Sequence, residues 1–331
     1  MSEARAILIT GATGGLGLGL VAAARAAGHA VRATGRSTTA RERIVGMGAT
    51  FVQADLTNPA VLPALVEGQT SVIHAAALSA SWGRREDFER SNVGVTRALL
   101  AAAAQAGCAR FVFVSSPSIH AGFRDRLNIR GSDAPARPPL NHYARSKLRA
   151  EELVLRADGP GMRTCAVRPR AIVGPDDKVL LPALAAMASR SHVLLPRGGR
   201  ALIELTDVRD AARAILLAED AIDSVGGTAI NISGGMAHSV REIAAALASA
   251  LGAKPRFVRL PMTVARAAAL LGEGWAELTG RRKEPALTRY TLATLGFSQT
   301  FDHEEPARRI GYRPRHDALA TLLAEARRFR R

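Results

Sequence analysis

The chain has 331 residues, enough for one large domain or two closely joined ones. Hydrophobic residues make up 47% of it, so it can bury a real core, and no stretch approaches the roughly 18 consecutive apolar residues of a membrane span. Lysine and arginine total 45 against 29 acidic residues, a formal net charge of +16. Such a charge suits nucleic acid, an anionic membrane or an acidic ligand. Because the arginines are scattered singly or in pairs, we expect a solvated basic surface and no nucleic acid partner.

The cysteine content and the N-terminal residues bear on the compartment. Cys108 and Cys165 form no CxxC pair and no disulfide framework, and the N-terminal residues lack the apolar region and cleavage site of a signal peptide. We therefore expect a cytoplasmic protein with reduced thiols and without a metal site.

The first half of the chain alternates short apolar runs with longer helical patterns. Strands are predicted at Ala6–Thr10, Ala30–Thr34, Thr50–Gln53, Ser71–His74, Arg110–Val114 and Arg163–Val167. Helices are predicted at Leu16–Ala27, Pro59–Val66, Phe88–Ala106 and Tyr143–Ala157. Near-continuous apolar strands separated by helices indicate a parallel sheet covered on both faces. The predicted fold is therefore α/β, with a doubly wound parallel sheet of the Rossmann type.

The pattern changes after Gly174-Pro175, where Pro, Gly and Arg become frequent. We divide the chain into a dinucleotide-binding domain, residues 1–175, and a smaller mixed α/β substrate-binding lobe, residues 176–331, from which some segments return to the sheet. Helices are predicted at Asp207–Ala218 and Val240–Leu251. A third, apolar helix at Leu260–Leu278 is expected to pack against the protein, with a membrane surface or a hydrophobic substrate as alternatives.

A glycine-rich segment, TGATGGLG at residues 10–17, follows the first strand and opens the first helix. Gly11 allows a tight turn, Gly14 lets the backbone approach a pyrophosphate, and Gly17 lets the helix pack against the sheet. The helix N-terminus also offers free N–H groups to phosphate. This context predicts a dinucleotide site that includes Gly11, Thr13, Gly14, Gly15, Leu16 and Gly17.

The residues at the end of the second strand distinguish an NAD site from an NADP site. An NAD site usually carries an acidic residue there for the ribose 2′-hydroxyl, but this chain has none from position 4 to position 41. Arg36 can instead grip a 2′-phosphate, and Ser37 can add a hydroxyl. We predict NADP(H), with NAD(H) as the alternative. Asp55, with Leu56 beside it, is placed either to bind the adenine amino group or to cap the following turn.

Tyr143 and Lys147 lie four residues apart at the start of a predicted helix, hence on one face. A phenol with a pKa of about 10 is a poor acid or base at neutral pH, and a neighbouring ammonium lowers that pKa. Lys147, one of only four lysines, can also bind the nicotinamide ribose. The preceding strand ends in serines. We favour Ser116 as donor to the substrate oxygen and place Ser115 beside the cofactor, with Ser118 predicted to cap the strand end or contact substrate.

Together these motifs resemble the extended short-chain dehydrogenase/reductase superfamily. Further matching segments are His74–Ala77, Ser91–Val93 and Arg168–Pro175. The resemblance implies that the fourth-strand segment lines the cofactor, that the segment after Arg168 touches the nicotinamide, and that Asn92 helps to order the site. The cofactor residues it adds are Ala75, Ala76, Ala77, Asn92, Pro169 and Ile172.

Within the superfamily the chain is similar to the 3β-hydroxysteroid dehydrogenase group, which includes 2-alkyl-3-oxoalkanoate reductases. The segments that carry this similarity are Ser81–Gly83, Ser116–Ser118, Arg168–Arg170, Glu284–Arg289 and Glu305–Tyr312. His120-Ala121 departs from the Tyr-Gly often found after the serine strand. The similarity implies an NADP(H)-dependent oxidoreductase acting on a 3-oxo or 3-hydroxy group of a hydrophobic, sometimes carboxylated substrate. The expected substrate contacts are Ser79, Trp82, Ser118 and Arg170.

Two other functions fit the same residues. A nucleotide-sugar epimerase or dehydratase would use the same Ser116, Tyr143 and Lys147 with a tightly held cofactor. A non-catalytic NADP-sensing protein is the other alternative, although such relatives commonly lose the Tyr/Lys pair. In the resembling family the helices predicted at Phe88–Ala106 and Tyr143–Ala157 often form the four-helix bundle of a dimer, so we expect a homodimer.

Overall fold

The computed structural model describes residues 4–280 and 283–329. The first three residues of the N-terminal segment considered above therefore lie outside the described residues. The strands are β1 (Ala6–Thr10), β2 (Ala30–Gly35), β3 (Thr50–Gln53), β4 (Ser71–His74), β5 (Arg110–Val114), β6 (Arg126–Ile129), β7 (Arg163–Pro169), β8 (Ile172–Val173), β9 (His192–Pro196), β10 (Leu202–Glu204), β11 (Thr206–Asp207), β12 (Ala229–Ile232), β13 (Ala237–Ser239), β14 (Arg256–Leu260) and β15 (Gln299–Phe301).

The α-helices lie mostly between these strands. They are α1 (Gly15–Ala26), α2 (Arg41–Gly46), α3 (Leu62–Val66), α4 (Arg85–Phe88), α5 (Val95–Gln105), α6 (His142–Arg156), α7 (Leu180–Ala188), α8 (Val208–Asp220), α9 (Ile222–Val225), α10 (Val240–Ala250), α11 (Met262–Leu278), α12 (Arg289–Gly296), α13 (Glu304–Ile310) and α14 (Ala318–Phe329).

The main sheet of the described chain has seven parallel strands in the order β12-β7-β5-β4-β1-β2-β3. The order reverses between β1 and β4, which makes the sheet doubly wound and confirms the predicted Rossmann-type fold. In such sheets ligands bind beyond the carboxyl ends of the strands at this reversal.

Both faces of the sheet are buried. Ile7 and Ile9 of β1 belong to one core, which includes residues of α1 and α8. Leu8 points to the opposite core, beneath α3, α5 and α6. Because successive strand residues face opposite sides, a strand covered on both sides is mostly apolar, as β1 is up to Thr10 at its end.

Segments beyond residue 175 contribute to the main sheet as well as to a smaller lobe. The helix α8 packs against α1, and β12 pairs with β7 as the edge strand. The smaller lobe contains a mixed sheet in the order β13-β10-β15-β6, so β6 of the first half joins strands of the second. Beside it, α7, α10 and α14 share an apolar core that includes Leu247 and Leu322.

The helix predicted at Phe88–Ala106 is present, but its first turns are not regular α-helix. The short helix α4 is followed by a π-helical segment at Glu89–Gly94, and only then by α5. A π segment inserts an extra residue into a helix and re-aims the side chains around it. Here it directs Asn92 inward, where it is 2% exposed.

The apolar helix α11 packs against the protein along one face only. Ala265 and Ala269 contact Leu292 of α12, whereas Leu271, Trp275 and Leu278 are exposed. A membrane contact through this outer face stays a prediction. Among the described residues, no helix combines the length and apolar character needed to span a bilayer.

Candidate active site

A cavity of about 810 Å³ runs along the carboxyl ends of the main sheet and into the smaller lobe. Most of the predicted site residues contribute to its wall. They are Gly11, Thr13, Gly14, Gly15, Leu16, Gly17, Arg36, Ser37, Asp55, Leu56, Ala75, Ala76, Ala77, Ser79, Ser115, Ser116, Ser118, Tyr143, Lys147, Pro169, Arg170 and Ile172. The two predicted residues outside this wall are Asn92, buried behind it, and Trp82, half-buried in the segment after β4.

The glycine segment forms a close-fitting turn between β1 and α1. Gly11 has a φ of +68°, and a Cβ there would lie 2.8 Å from the backbone of Ala76. A Cβ on Gly17 would lie 2.2 Å from the carbonyl oxygen of Gly11. Both positions therefore exclude any larger residue. The turn leaves the N-terminus of α1 facing the cavity, which is the geometry that binds a pyrophosphate.

The end of β2 presents a basic and hydroxyl-rich surface to the same cavity. Arg36 is exposed and follows the strand directly, and its carbonyl accepts a hydrogen bond from Gln53 Nε2 at 2.9 Å. Ser37 Oγ and Thr39 Oγ1 lie 2.8 Å apart beside it. This corner can hold a phosphate group.

Asp55 is placed for both of the roles that the sequence left open. Its Oδ1 accepts hydrogen bonds from the backbone N–H and the hydroxyl of Thr57, at 3.0 and 2.8 Å, so it caps the turn after β3. These bonds lower the pKa of Asp55, with Arg36 adding to the effect. The residue also contributes to the cavity wall, where a carboxylate can accept a bond from a ligand.

Tyr143 lies in the first turn of α6. Asn141 caps this helix, accepting a hydrogen bond from the Ala144 N–H at 2.8 Å. The Tyr143 hydroxyl lies near the hydroxyls of Ser116 and Ser79, from the ends of β5 and β4 respectively, and both act to lower its pKa. The structure thus brings together a phenol and two hydroxyls at the carboxyl edge of the sheet.

The prediction that Ser118 caps the end of the strand is wrong, because Ser116 forms that cap. Ser116 Oγ accepts a hydrogen bond from the Ser118 N–H at 3.2 Å and caps the 3₁₀ turn at Pro117–His120. Ser118 Oγ is instead buried without a hydrogen-bond partner in the cavity wall. A buried hydroxyl of this kind is available to a ligand.

Lys147 lies one turn beyond Tyr143 and is 2% exposed. Its Nζ donates to the Val114 carbonyl at 2.5 Å and lies 4.1 Å from the centre of the Phe113 ring. Burial lowers the pKa of Lys147 to about 7, while Glu151 acts to raise it. The Lys147 side chain therefore exchanges between its ammonium and amine forms near neutral pH.

The pKa of Tyr143 runs against our expectation. We predicted that Lys147 would lower it, but burial raises the pKa of Tyr143, and the nearby hydroxyls of Ser116 and Ser79 offset this only partly. The physical reason is that the phenolate would be desolvated in the cavity wall. Tyr143 is consequently a neutral phenol at pH 7, the form that donates a proton.

A buried chain of hydrogen bonds lies behind the glycine turn. The Ala76 N–H donates to Thr10 Oγ1 at 3.1 Å, so the Thr10 hydroxyl can donate to His74 Nδ1, 2.7 Å away. His74 Nε2 is 3.1 Å from Thr96 Oγ1, which donates to the Asn92 carbonyl at 2.6 Å. Burial lowers the pKa of His74 to about 3. The histidine is therefore neutral, with its proton on Nε2.

Asn92 extends this chain to the helix that carries Tyr143. Its Oδ1 accepts from the Leu78 N–H at 2.7 Å, and its Nδ2 donates to Ser146 Oγ at 2.8 Å. Ser146 Oγ in turn donates to the Tyr143 carbonyl at 2.9 Å. The contacts join the end of β4 to the first turn of α6, a geometry suited to the ordering role that the resemblance implies for Asn92.

Tyr290 is a cavity residue that the sequence analysis missed. Tyr290 lies on α12 and contributes to the cavity wall together with Thr294 and Leu295. Burial raises the pKa of Tyr290 to about 12, and both Arg170 and Tyr143 lie within electrostatic reach of it. Its neighbour Arg289 is anchored to Glu273 of α11, Nε to Oε2 at 2.5 Å. The one sequence signal that could have identified Tyr290 is the scarcity of tyrosine, since the chain has only three.

The far end of the cavity is apolar. Its wall there consists mostly of side chains from α7, β10 and α10, namely Leu180, Leu184, Met187, Ile203, Leu205, Val240, Ile243, Ala244 and Leu247. The cavity therefore has three parts in sequence: a phosphate-binding turn, a Ser-Tyr-Lys set and an apolar chamber.

A Rossmann sheet with this site defines an oxidoreductase of the extended short-chain dehydrogenase/reductase type. The chain belongs to the NAD-dependent epimerase/dehydratase family, whose model matches residues 7–233. The resemblance drawn from the sequence motifs is thereby confirmed, and the protein is an enzyme of this family.

Named relatives span most of the chain. A 4-hydroxy-2-methyl-3-oxo-4-farnesyl-3,4-dihydroquinoline-1-oxide ketoreductase from Stigmatella aurantiaca is 34% identical over 305 residues, covering 92% of this chain and 90% of the relative. A 2-alkyl-3-oxoalkanoate reductase from Stenotrophomonas maltophilia (strain K279a) is 32% identical over 315 residues, covering 93% and 94%. The structure of MoeE5 in complex with UDP-glucuronic acid and NAD aligns with a TM-score of 0.73 at 25% identity, covering 98% and 99%.

Proposed function

We propose that this enzyme transfers hydride between NADP(H) and a 3-oxo/3-hydroxy pair on a hydrophobic substrate, of the steroid or 2-alkyl-3-oxoalkanoate type. The observation that carries the proposal is the position of Tyr143 beside Ser116, set between the phosphate-binding turn and the apolar chamber of one cavity. A carbonyl held by Ser116 would lie within reach of the Tyr143 proton.

Each member of the set has a distinct role. A bound reduced nicotinamide supplies hydride to the carbonyl carbon. Tyr143, which its raised pKa keeps protonated at neutral pH, donates a proton to the substrate oxygen. Ser116 donates a hydrogen bond to the developing alkoxide, and the Lys147 ammonium stabilises the phenolate left on Tyr143. The same groups in reverse would serve oxidation.

The preference for NADP(H) is supported by the residues at the end of β2. Arg36, Ser37 and Thr39 contribute to the cavity wall there, and the sequence supplies no carboxylate at the strand end for a ribose 2′-hydroxyl. A guanidinium beside two hydroxyls suits a 2′-phosphate. The glycine turn fits the pyrophosphate because any Cβ at Gly11 or Gly17 would collide with backbone.

The test is an NADPH-oxidation assay on a panel of 3-oxo steroids and 2-alkyl-3-oxo acids, with identification of the 3-hydroxy product. We expect turnover with one of these classes. A purified enzyme that leaves every member of the panel unreduced would contradict the proposed substrate class.

An epimerase or dehydratase of nucleotide sugars is the second candidate, and the MoeE5 complex with UDP-glucuronic acid and NAD favours it. The chamber here is lined by leucine, isoleucine and methionine, which offer few partners to the uracil and phosphates of a sugar nucleotide. Tightly bound NAD in the purified protein, with no net consumption of NADPH, would identify this alternative. The cytoplasmic location and the homodimer remain predictions from the sequence.

A further inference from the structure

Arg168 lies in β7 and Arg170 follows it directly, but the two side chains are paired very differently. Arg168 is 4% exposed and fully paired, with a two-point ion pair to Glu151 and a further bond to the Gly131 carbonyl. Arg170 is 8% exposed, yet the hydrogen bonds and ion pairs of the described residues include none from its guanidinium, and its Nε is buried without a partner. A buried charge without a partner is costly and indicates a missing ligand.

Arg170 contributes to the cavity wall, and so do two residues with hydroxyl groups. Ser118 Oγ is buried without a partner, and Tyr290 lies within electrostatic reach of Arg170. Burial lowers the pKa of Arg170, but a guanidinium stays charged at neutral pH. The site therefore offers one positive charge and two hydroxyls.

A carboxylate in the neighbourhood of Arg170 is bonded to other groups. Glu204 lies within electrostatic reach of Arg170. Its Oε1 is 3.2 Å from His303 Nε2, and its Oε2 accepts a hydrogen bond from Ser233. The pKa of His303 is raised chiefly by its hydrogen bond with Glu204, so the histidine shares that carboxylate.

The phosphates of a dinucleotide are too distant to pair with Arg170. It follows β7, and the strand order places β5 and β4 between β7 and β1. With neighbouring strands about 4.8 Å apart, the glycine turn after β1 lies roughly 14 Å away and Arg36 after β2 roughly 19 Å away. We therefore expect the anion that pairs with the Arg170 guanidinium to be part of the substrate.

We propose that Arg170, assisted by Ser118 and Tyr290, binds a carboxylate of the substrate and makes the enzyme selective for 3-oxo and 3-hydroxy acids over neutral ketones. The inference rests on the proposed function for the reacting carbonyl. Ser116 and Ser118 line the same cavity, and the Ser118 N–H donates to Ser116 Oγ at 3.2 Å, so we place the carboxylate near the carbonyl of the substrate. A β-keto acid with an apolar tail in the chamber has this arrangement.

The first measurement compares 2-methyl-3-oxododecanoate with its methyl ester in the NADPH assay. We expect the wild-type enzyme to prefer the acid by about tenfold or more in kcat/KM, the range for hydrogen bonds to a charged group. Arg170→Gln should reduce this preference to below threefold. The control Arg190→Gln, which removes an exposed positive charge elsewhere, should keep the wild-type preference.

The second measurement does not depend on turnover. Decanoate and methyl decanoate are titrated calorimetrically into the wild type, Arg170→Gln and Arg170→Lys in the presence of NADPH. We expect the wild type to bind decanoate about tenfold more tightly than the ester. Arg170→Lys should retain part of this preference for the acid. Arg170→Gln should lose the preference while its affinity for NADPH is unchanged. Equal binding of acid and ester by the wild type would overturn the inference, even if ketones are reduced. Selective binding of decanoate without any reduction would instead overturn the proposed function alone.

Discussion

Arg168 and Glu151 form a two-point ion pair in the interior, with Nε to Oε2 at 2.8 Å and Nη2 to Oε1 at 2.5 Å. Their side chains are 5% and 3% exposed. The pair joins β7 to α6, the helix that carries Tyr143 and Lys147. It therefore fixes the catalytic helix against the strand whose end forms the substrate side of the cavity.

Breaking this pair from one side should destabilise the fold. Glu151→Gln leaves Arg168 buried with an uncompensated charge, and we expect a loss of about 3–5 kcal/mol in the free energy of unfolding measured with urea. The matched control is Glu152→Gln at the next position, whose ion pairs with Arg137 and Arg156 are long and exposed, and it should cost below about 1 kcal/mol. Similar losses for the two variants would contradict the structural role of the buried pair.

Reduction should depend on the protonation of Lys147. Its pKa of about 7 means that the ammonium is present below pH 7 and lost as the pH rises above it. Because only the ammonium stabilises the Tyr143 phenolate, kcat/KM for ketone reduction should be level below pH 7 and fall above it. Lys147→Arg holds its charge throughout this range, so its residual activity should lack the fall. Persistence of the same fall in Lys147→Arg would assign it to another group.

The cofactor preference should depend on Arg36. Arg36→Ala removes a charge-assisted contact to the 2′-phosphate, so kcat/KM for NADPH should drop by about 10- to 100-fold. The value for NADH should change by less than about threefold, since NADH has no such phosphate. Arg97→Ala, an exposed arginine of α5, serves as the control. A parallel loss with both cofactors would show that Arg36 does not read the phosphate.

Tyr143→Phe should separate binding from chemistry. Removing the phenol hydroxyl removes the proton donor, for which we expect a loss of about 10²- to 10⁴-fold in kcat, with the NADPH dissociation constant unchanged. Tyr312→Phe is the control, because that buried hydroxyl donates to the Ser233 carbonyl at 2.9 Å, away from the cavity. It should lose about 1 kcal/mol of stability and keep its activity. Wild-type rates in Tyr143→Phe would refute the assigned proton donor.

The sequence predicted the main sheet well because its signals are local. Strands β1, β4 and β5 have the predicted bounds, since a strand buried on both faces is recognisable as a short apolar run. The exposed edge strand β3 also has its predicted bounds. The glycine turn was equally readable, because steric exclusion at Gly11 and Gly17 leaves no other residue type.

The missed features depend on contacts between distant segments. The π-helical break before α5 accompanies the bonds of Asn92 to Leu78 and Ser146, which no helical periodicity records. Tyr290 lies on α12, which is held against α11 by the Arg289–Glu273 contact and by apolar packing of Leu292. The same holds for the pKa of Tyr143, which depends on how far the folded protein buries the phenol.

The central claim is net hydride transfer to a substrate carbonyl with Tyr143 as the proton donor. The most direct measurement follows deuterium from NADPH labelled at C4 of the nicotinamide into the product, using mass spectrometry on wild-type enzyme and Tyr143→Phe. The account predicts one deuterium at C3 of the 3-hydroxy product, formed in step with NADPH oxidation by the wild type and nearly absent with the variant. Product without deuterium, or labelled product formed equally fast by Tyr143→Phe, would contradict it.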